Sequence, residues 1–84
     1  MAGLAVVTPN PSAGLVMLQI TDWPNALLQV QVIDGPGTIL QRLDGVGPGN
    51  TPINLTQYSA GLYQISVHDP AKNSTQLFRI LKYN

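Results

Sequence analysis

Leu28-Gln29-Val30-Gln31-Val32-Ile33-Asp34-Gly35-Pro36-Gly37 carries the architecture in ten residues. Leu28, Val30 and Val32 alternate with Gln29 and Gln31, the period-two pattern of a strand with one face on a core and one on water. Asp34-Gly35-Pro36-Gly37 then ends it, since Pro presets a turn dihedral and Gly tolerates positive φ. The same grammar extends in both directions. Upstream, Val16, Leu18 and Ile20 share a face after Gly14. Leu4 to Val7 forms an earlier strand, stopped by Pro9-Asn10-Pro11, where two residues have no N–H to give. Downstream, Thr38 to Leu43 reads as a fourth strand and Ile53 to Leu55 as a fifth. Tyr63, Ile65 and Val67 alternate with Gln64, Ser66 and His68 in a sixth, and Thr75 to Lys82 forms a seventh with Phe78 and Ile80 inward.

Between these runs, Pro24-Asn25 and Asp69-Pro70-Ala71-Lys72-Asn73 read as turns, and Gly45-Val46-Gly47-Pro48-Gly49-Asn50 as the longest irregular loop. No ten-residue stretch keeps a helical period, so helix is limited to a turn at Gln57 to Ala60. Seven short strands with turn signals every ~8–12 residues predict an all-β, antiparallel two-sheet sandwich. The spacing of Leu55, Gly61 and Tyr63 adds a tyrosine corner, the Tyr63 hydroxyl bonding backbone just upstream.

Composition narrows the function. Of 84 residues, four are Lys or Arg and four are Asp, with no Glu, so the formal net charge is zero; average usage of ~25% would give roughly 21 charged side chains. Four scattered cations cannot form the basic patch that nucleic acid requires. The same count excludes an acidic tail, a polybasic membrane anchor and a charge-rich linker. There is no Cys, hence no disulfide staple and no thiolate metal site. The start, Met1 to Val7, lacks a basic segment and is broken by Pro9, unlike a signal peptide. The expectation is a single domain over residues 1–84, excised from a longer protein.

The inventory for chemistry is thin. Asp22, Asp34, Asp44 and Asp69 lie at or near turns, where short carboxylates accept local N–H groups. His68 and Asp69 are adjacent and face opposite ways along a strand, so they make no dyad. No serine has a G-x-S-x-G setting. Gly35-Pro36-Gly37 and Gly47-Pro48-Gly49 open no helix and carry no Lys, unlike phosphate loops. Asn54-Leu55-Thr56 and Asn73-Ser74-Thr75 match the acceptor pattern for N-glycosylation. The reading is a non-enzyme with no metal and no cofactor. Trp23 and Tyr58 offer one alternative, an aromatic platform for sugar.

The order of motifs is more specific than any one of them. Pro9-Asn10-Pro11 and Gly14 are followed by Leu28 to Asp34 with Gly37. Ile53-Asn54-Leu55, Ser59 to Val67 and Phe78-Arg79-Ile80-Leu81-Lys82 come next. From about Leu4 to Lys82 the chain resembles the type A C-terminal sorting domain of the type IX (Por) secretion system of Bacteroidetes. The resemblance implies an immunoglobulin/fibronectin-like sandwich at the end of an exported protein. It further implies passage of the N-terminal cargo from periplasm across the outer membrane to the surface or medium, and removal of the domain by a sortase-like peptidase. The matching positions are Pro9, Asn10, Pro11, Gly14, Asp34, Gly37, Leu55, Gly61, Tyr63 and Lys82. The chain departs from the family pattern at Thr8, where an aromatic is usual, at Thr38, where a basic residue is usual, and in its single terminal cation, Lys82.

Most of these positions read as holding the sandwich together. Recognition by the secretion machinery is then expected from shape and from strand edges near the last strand, which pair through backbone and need no charge. Exposed strand edges also suggest self-association of the isolated domain. The competing role is a structural spacer or carbohydrate-binding module of a large secreted protein.

Overall fold

The computed structural model describes residues 3–8, 13–23 and 27–83. Seven strands follow one another: β1 (Leu4–Thr8), β2 (Leu15–Thr21), β3 (Leu28–Ile33), β4 (Ile39–Val46), β5 (Gly49–Asn54), β6 (Gly61–Asp69) and β7 (Ser74–Lys82). They form two antiparallel sheets, one ordered β1-β2-β5 and the other β4-β3-β6-β7. The β3–β6 and β6–β7 pairings make the four-stranded sheet continuous, while β2 is the centre of the three-stranded one.

The alternation seen in sequence sets the facing. Val16, Leu18 and Ile20 of β2, Leu28, Val30 and Val32 of β3, and Tyr63, Ile65 and Val67 of β6 are all buried. Ile53 and Leu55 close the core from the smaller sheet and Ile80 from the larger, with Phe78, Leu43 and Tyr58 packed against its margin. In β7 the inward assignment of Phe78 and Ile80 holds, leaving Leu77 and Leu81 in solvent. Each fully buried Leu or Ile contributes about 1.5–3 kcal/mol, so the paired inner faces dominate stability.

The largest departures from the sequence reading lie between the fourth and fifth strands. The fourth strand continues past Leu43 to Val46, and the fifth begins at Gly49, so only Gly47 and Pro48 of the expected loop lie outside strands. Val46 is the cause: it is buried and pairs with Leu28. Gly45, at φ 67°, lets the strand absorb the extra residue where the β3–β4 register shifts, a bulge that bends an edge strand without ending it. A second shift lies between Val32 and Ile33. The turn expected at Pro24-Asn25 lies outside the described residues. Around Gln57 the chain makes a turn closed by Tyr58 N–H donating to the Leu55 carbonyl (3.0 Å).

Antiparallel pairing gives the sandwich two distinct ends. At one end lie Leu4 beside Thr21, Gly49 beside Ile20, Val46 beside Leu28, and the β6–β7 turn after Asp69. At the other lie the end of β1, the start of β2 beside Asn54, the β3–β4 turn, and Gly61 beside Lys82. The chain enters at the first end and β7 finishes at the second.

Candidate functional site

The second end gathers the motif positions. Gly14 precedes β2 and is buried, with φ 136°. Its carbonyl accepts the Leu55 N–H (2.6 Å), and a Cβ placed on it would sit 2.8 Å from Thr56 Cγ2 and 3.0 Å from Thr56 Cα. Both the dihedral and the close approach therefore demand glycine. Leu55, with no exposed surface, anchors the segment leaving β5. Thr56 is tied down as well, its N–H (2.9 Å) and hydroxyl (2.6 Å) both donating to Asn54 Oδ1. The Asn54 carboxamide of the glycosylation pattern is thus engaged in a local turn.

On the other sheet, Asp34 organises the β3–β4 turn. Its Oδ1 accepts the N–H of Gly37 (3.1 Å) and of Thr38 (2.7 Å), and its backbone bonds the same two residues. Gly37 sits at φ 103°, which explains the Asp-x-x-Gly spacing. The connection from β5 to β6 is the predicted tyrosine corner. Tyr63 is buried and its hydroxyl donates to the Ser59 carbonyl (2.5 Å). Its ring lies 6.0 Å from that of Tyr58, tilted by 36°. Gln41 Nε2 ties this corner to both sheets, donating to the Asn54 carbonyl (2.8 Å) and the Tyr58 hydroxyl (3.1 Å).

Gly61 and Lys82 face each other across β6 and β7. Lys82, only 3% exposed, points inward, unlike an exposed basic tail. Asp34, Gly37, Leu55, Gly61, Tyr63, Lys82 and Gly14 thus share one end of the molecule. Pro9, Asn10 and Pro11 lie outside the described residues; the strand ends that flank them in sequence, Thr8 and Leu15, belong to this end. Between the β3–β4 turn and the tyrosine corner lies an open hollow of about 270 Å³, bounded by Asp34 to Pro36 and Ser59 to Tyr63.

The sugar-platform alternative loses its geometry. Trp23 is 3% exposed, and its indole N–H donates to Asp69 Oδ2 (2.9 Å). Tyr58 packs at the corner by Tyr63, at the opposite end of β6 from Asp69. About 20 Å of strand separates the two places. The Trp23–Asp69 bond went unread in sequence because nothing local links residues 46 apart. Asp69 also accepts the Ala71 N–H (3.0 Å). The indole bond, chiefly, and the nearby backbone N–H groups and Lys72 hold its carboxyl below the usual value of 3.8, against the opposing effect of burial. His68 faces outward and shares a 2.7 Å hydrogen bond with Thr75 Oγ1, so it makes no dyad with Asp69. Among the described residues, no three His, Cys, Asp or Glu side chains converge as a metal site.

Comparison with known families matches residues 6–81 to the secretion system C-terminal sorting domain. No curated protein matches the chain. The match spans nearly the whole sequence, and the chain belongs to this family, the C-terminal sorting signal of type IX secretion. The family is a secretion signal rather than a known enzyme family; it implies export toward the surface or medium, contact with the secretion machinery and an N-terminal cargo.

Proposed function

As a member of the sorting-domain family, we propose, this chain is read by the machinery at the end that gathers its motif positions, opposite the end where the cargo joins. The observation that carries the reading is topological. Gly14, Asp34, Gly37, Leu55, Gly61, Tyr63 and Lys82 come from five chain segments and converge at one end. The first described residues, Gly3 and Leu4, lie at the other, where a Cβ on Gly3 would meet Trp23 at 2.5 Å. A folded cargo attached there leaves the motif end free.

The domain acts by presenting a surface and performs no reaction. The Asp34 and Asp69 carboxylates serve a turn and a buried indole. Release by a sortase-like peptidase and transit through the periplasm complete the proposed route, with residues 1–84 acting as one detachable unit. β7 is an edge of the four-stranded sheet, which keeps edge recognition near the last strand within this reading; the β1 edge, with no charged residue, is the one on which self-association is proposed.

The test is a periplasmic reporter joined to the N-terminus of this chain in a type IX-competent Bacteroidetes host, with and without a small folded domain appended after Asn84. The reporter alone should be exported and the C-terminally capped fusion retained. Export of both equally would refute recognition at the motif end. Retention of both, with folding confirmed, would refute the sorting role for this chain.

A further inference from the structure

Of the four sheet edges among the described residues, three carry features that discourage a further strand. β5 holds Pro52, which has no N–H to give. β4 bears Arg42 and Asp44 and is bent by the bulge at Gly45. β7 carries an exposed Arg79 and ends on the inward-pointing Lys82. β1 has none of these. Leu4-Ala5-Val6-Val7-Thr8 contains no charge, no Pro and no Gly, and it stands at the end of its sheet beside β2. The other two strands of that sheet carry no charged residue either.

β1 is also complementary to itself. Leu4, Val6 and Thr8 face outward, while Ala5 and Val7 face the core. Residues directly opposed in an antiparallel ladder share a face. With Val6 opposite Val6 of a second copy, Leu4 meets Thr8 and Ala5 meets Val7, so every outward residue opposes an outward one. A slip of one residue sets outward residues against core-facing ones. A slip of two leaves only Leu4 to Val6, or Val6 to Thr8, in the ladder. One register alone pairs the whole strand, with about four to six main-chain hydrogen bonds. In it Leu4, 56% exposed, and Val6, 46% exposed, cover one another across the join, flanked by Met17 beside Thr8.

We propose that β1 binds a second copy of this chain, joining two three-stranded sheets edge to edge about a two-fold axis at Val6. The proposal rests on the self-association read at this edge and adds its register and symmetry. Any extended strand can add to a bare edge. What singles out an identical one is that full overlap matches every facing and brings no charge against its like. The outermost strands are then the two β5, whose Pro52 opposes further growth, so the assembly closes as a dimer.

Sedimentation velocity of the 84-residue chain should show a monomer–dimer equilibrium. Val6→Lys sets two like charges face to face on the axis and should weaken it about tenfold or more, with the urea midpoint unchanged. Asn50→Lys, on the β5 edge, should pair as the wild type does. If Val6→Lys lowers the midpoint, cross-linking in this cysteine-free chain reads the register directly. Under oxidised glutathione, Val6→Cys should form a disulfide-linked dimer, because opposed Cβ atoms lie only ~4.5–5.5 Å apart before adjustment. Thr8→Cys, opposite Leu4, should stay unlinked. A dimer unweakened in folded Val6→Lys, or equal cross-linking of the two cysteine variants, would overturn the β1 register and leave self-association standing. A chain that stays monomeric at every concentration would overturn self-association and the register together.

Discussion

Replacing Gly14 by Ala is the sharpest test of how the motif end is built. Two costs add at this residue. A non-glycine side chain at φ 136° holds a sparsely populated dihedral at about 1–3 kcal/mol. The new Cβ also meets Thr56 Cγ2 at 2.8 Å and Thr56 Cα at 3.0 Å, and overpacking of this kind costs about 1–3 kcal/mol more. A total near ~4 kcal/mol is a large share of the ~4–13 kcal/mol expected for a domain of this length. At ~4–8 °C per kcal/mol, the melting temperature should fall by roughly 15–30 °C.

Gly49→Ala is the internal reference, because φ there is 111° but no atom lies within 4 Å of the added Cβ. It should show the dihedral cost alone. Urea unfolding followed by Trp23 fluorescence reads both variants. Thr56→Ser, which removes the nearest atom while keeping the hydroxyl bonded to Asn54, should recover part of the Gly14→Ala loss, a coupling of about 0.5–1 kcal/mol. Equal destabilisation of Gly14→Ala and Gly49→Ala, with no coupling to Thr56, would refute the close-approach argument.

Two further outcomes are expected. Tyr63→Phe removes the donor to the Ser59 carbonyl and should lower stability by about 1 kcal/mol; an unchanged urea midpoint would show that the corner is held by ring packing alone. For Asp69 the folded state holds the carboxyl below its ordinary 3.8, so the unfolded chain binds the proton more readily. That stabilisation is fully present above about pH 4 and is lost as pH falls through the lower folded value. The acid-side decline in urea midpoint should therefore flatten in Asp69→Asn, and an unaltered decline would exclude the Trp23–Asp69 bond as its source.

The legible parts of this fold share one property: their cause is local in sequence. Leu28, Val30 and Val32 could be assigned inward because a strand alternates faces whatever it packs against. The Asp34–Gly37 turn was legible because its bonds span three and four residues, and the Tyr63 corner because its acceptor is four residues upstream. Val46 was misread because two flanking glycines signal a loop, whereas burial against the core keeps it in a strand. Lys82 carries a charge that usually seeks solvent, yet its place on β7, in step with the inward Ile80, turns it into the sandwich.

By itself the sequence determined the alternation, the turns and the ordered motifs, and so the sandwich and the family. The few charges, eight in 84 residues, also leave so neutral a surface little ionic means of contact. Only the tertiary structure decided where the motifs meet. Antiparallel pairing reverses the chain at every turn, so Gly14, Asp34, Gly61 and Lys82, far apart in sequence, fall at one end, and Trp23 is sealed against Asp69 at the other. That division of ends is a property of strand register across two sheets, which no local pattern encodes.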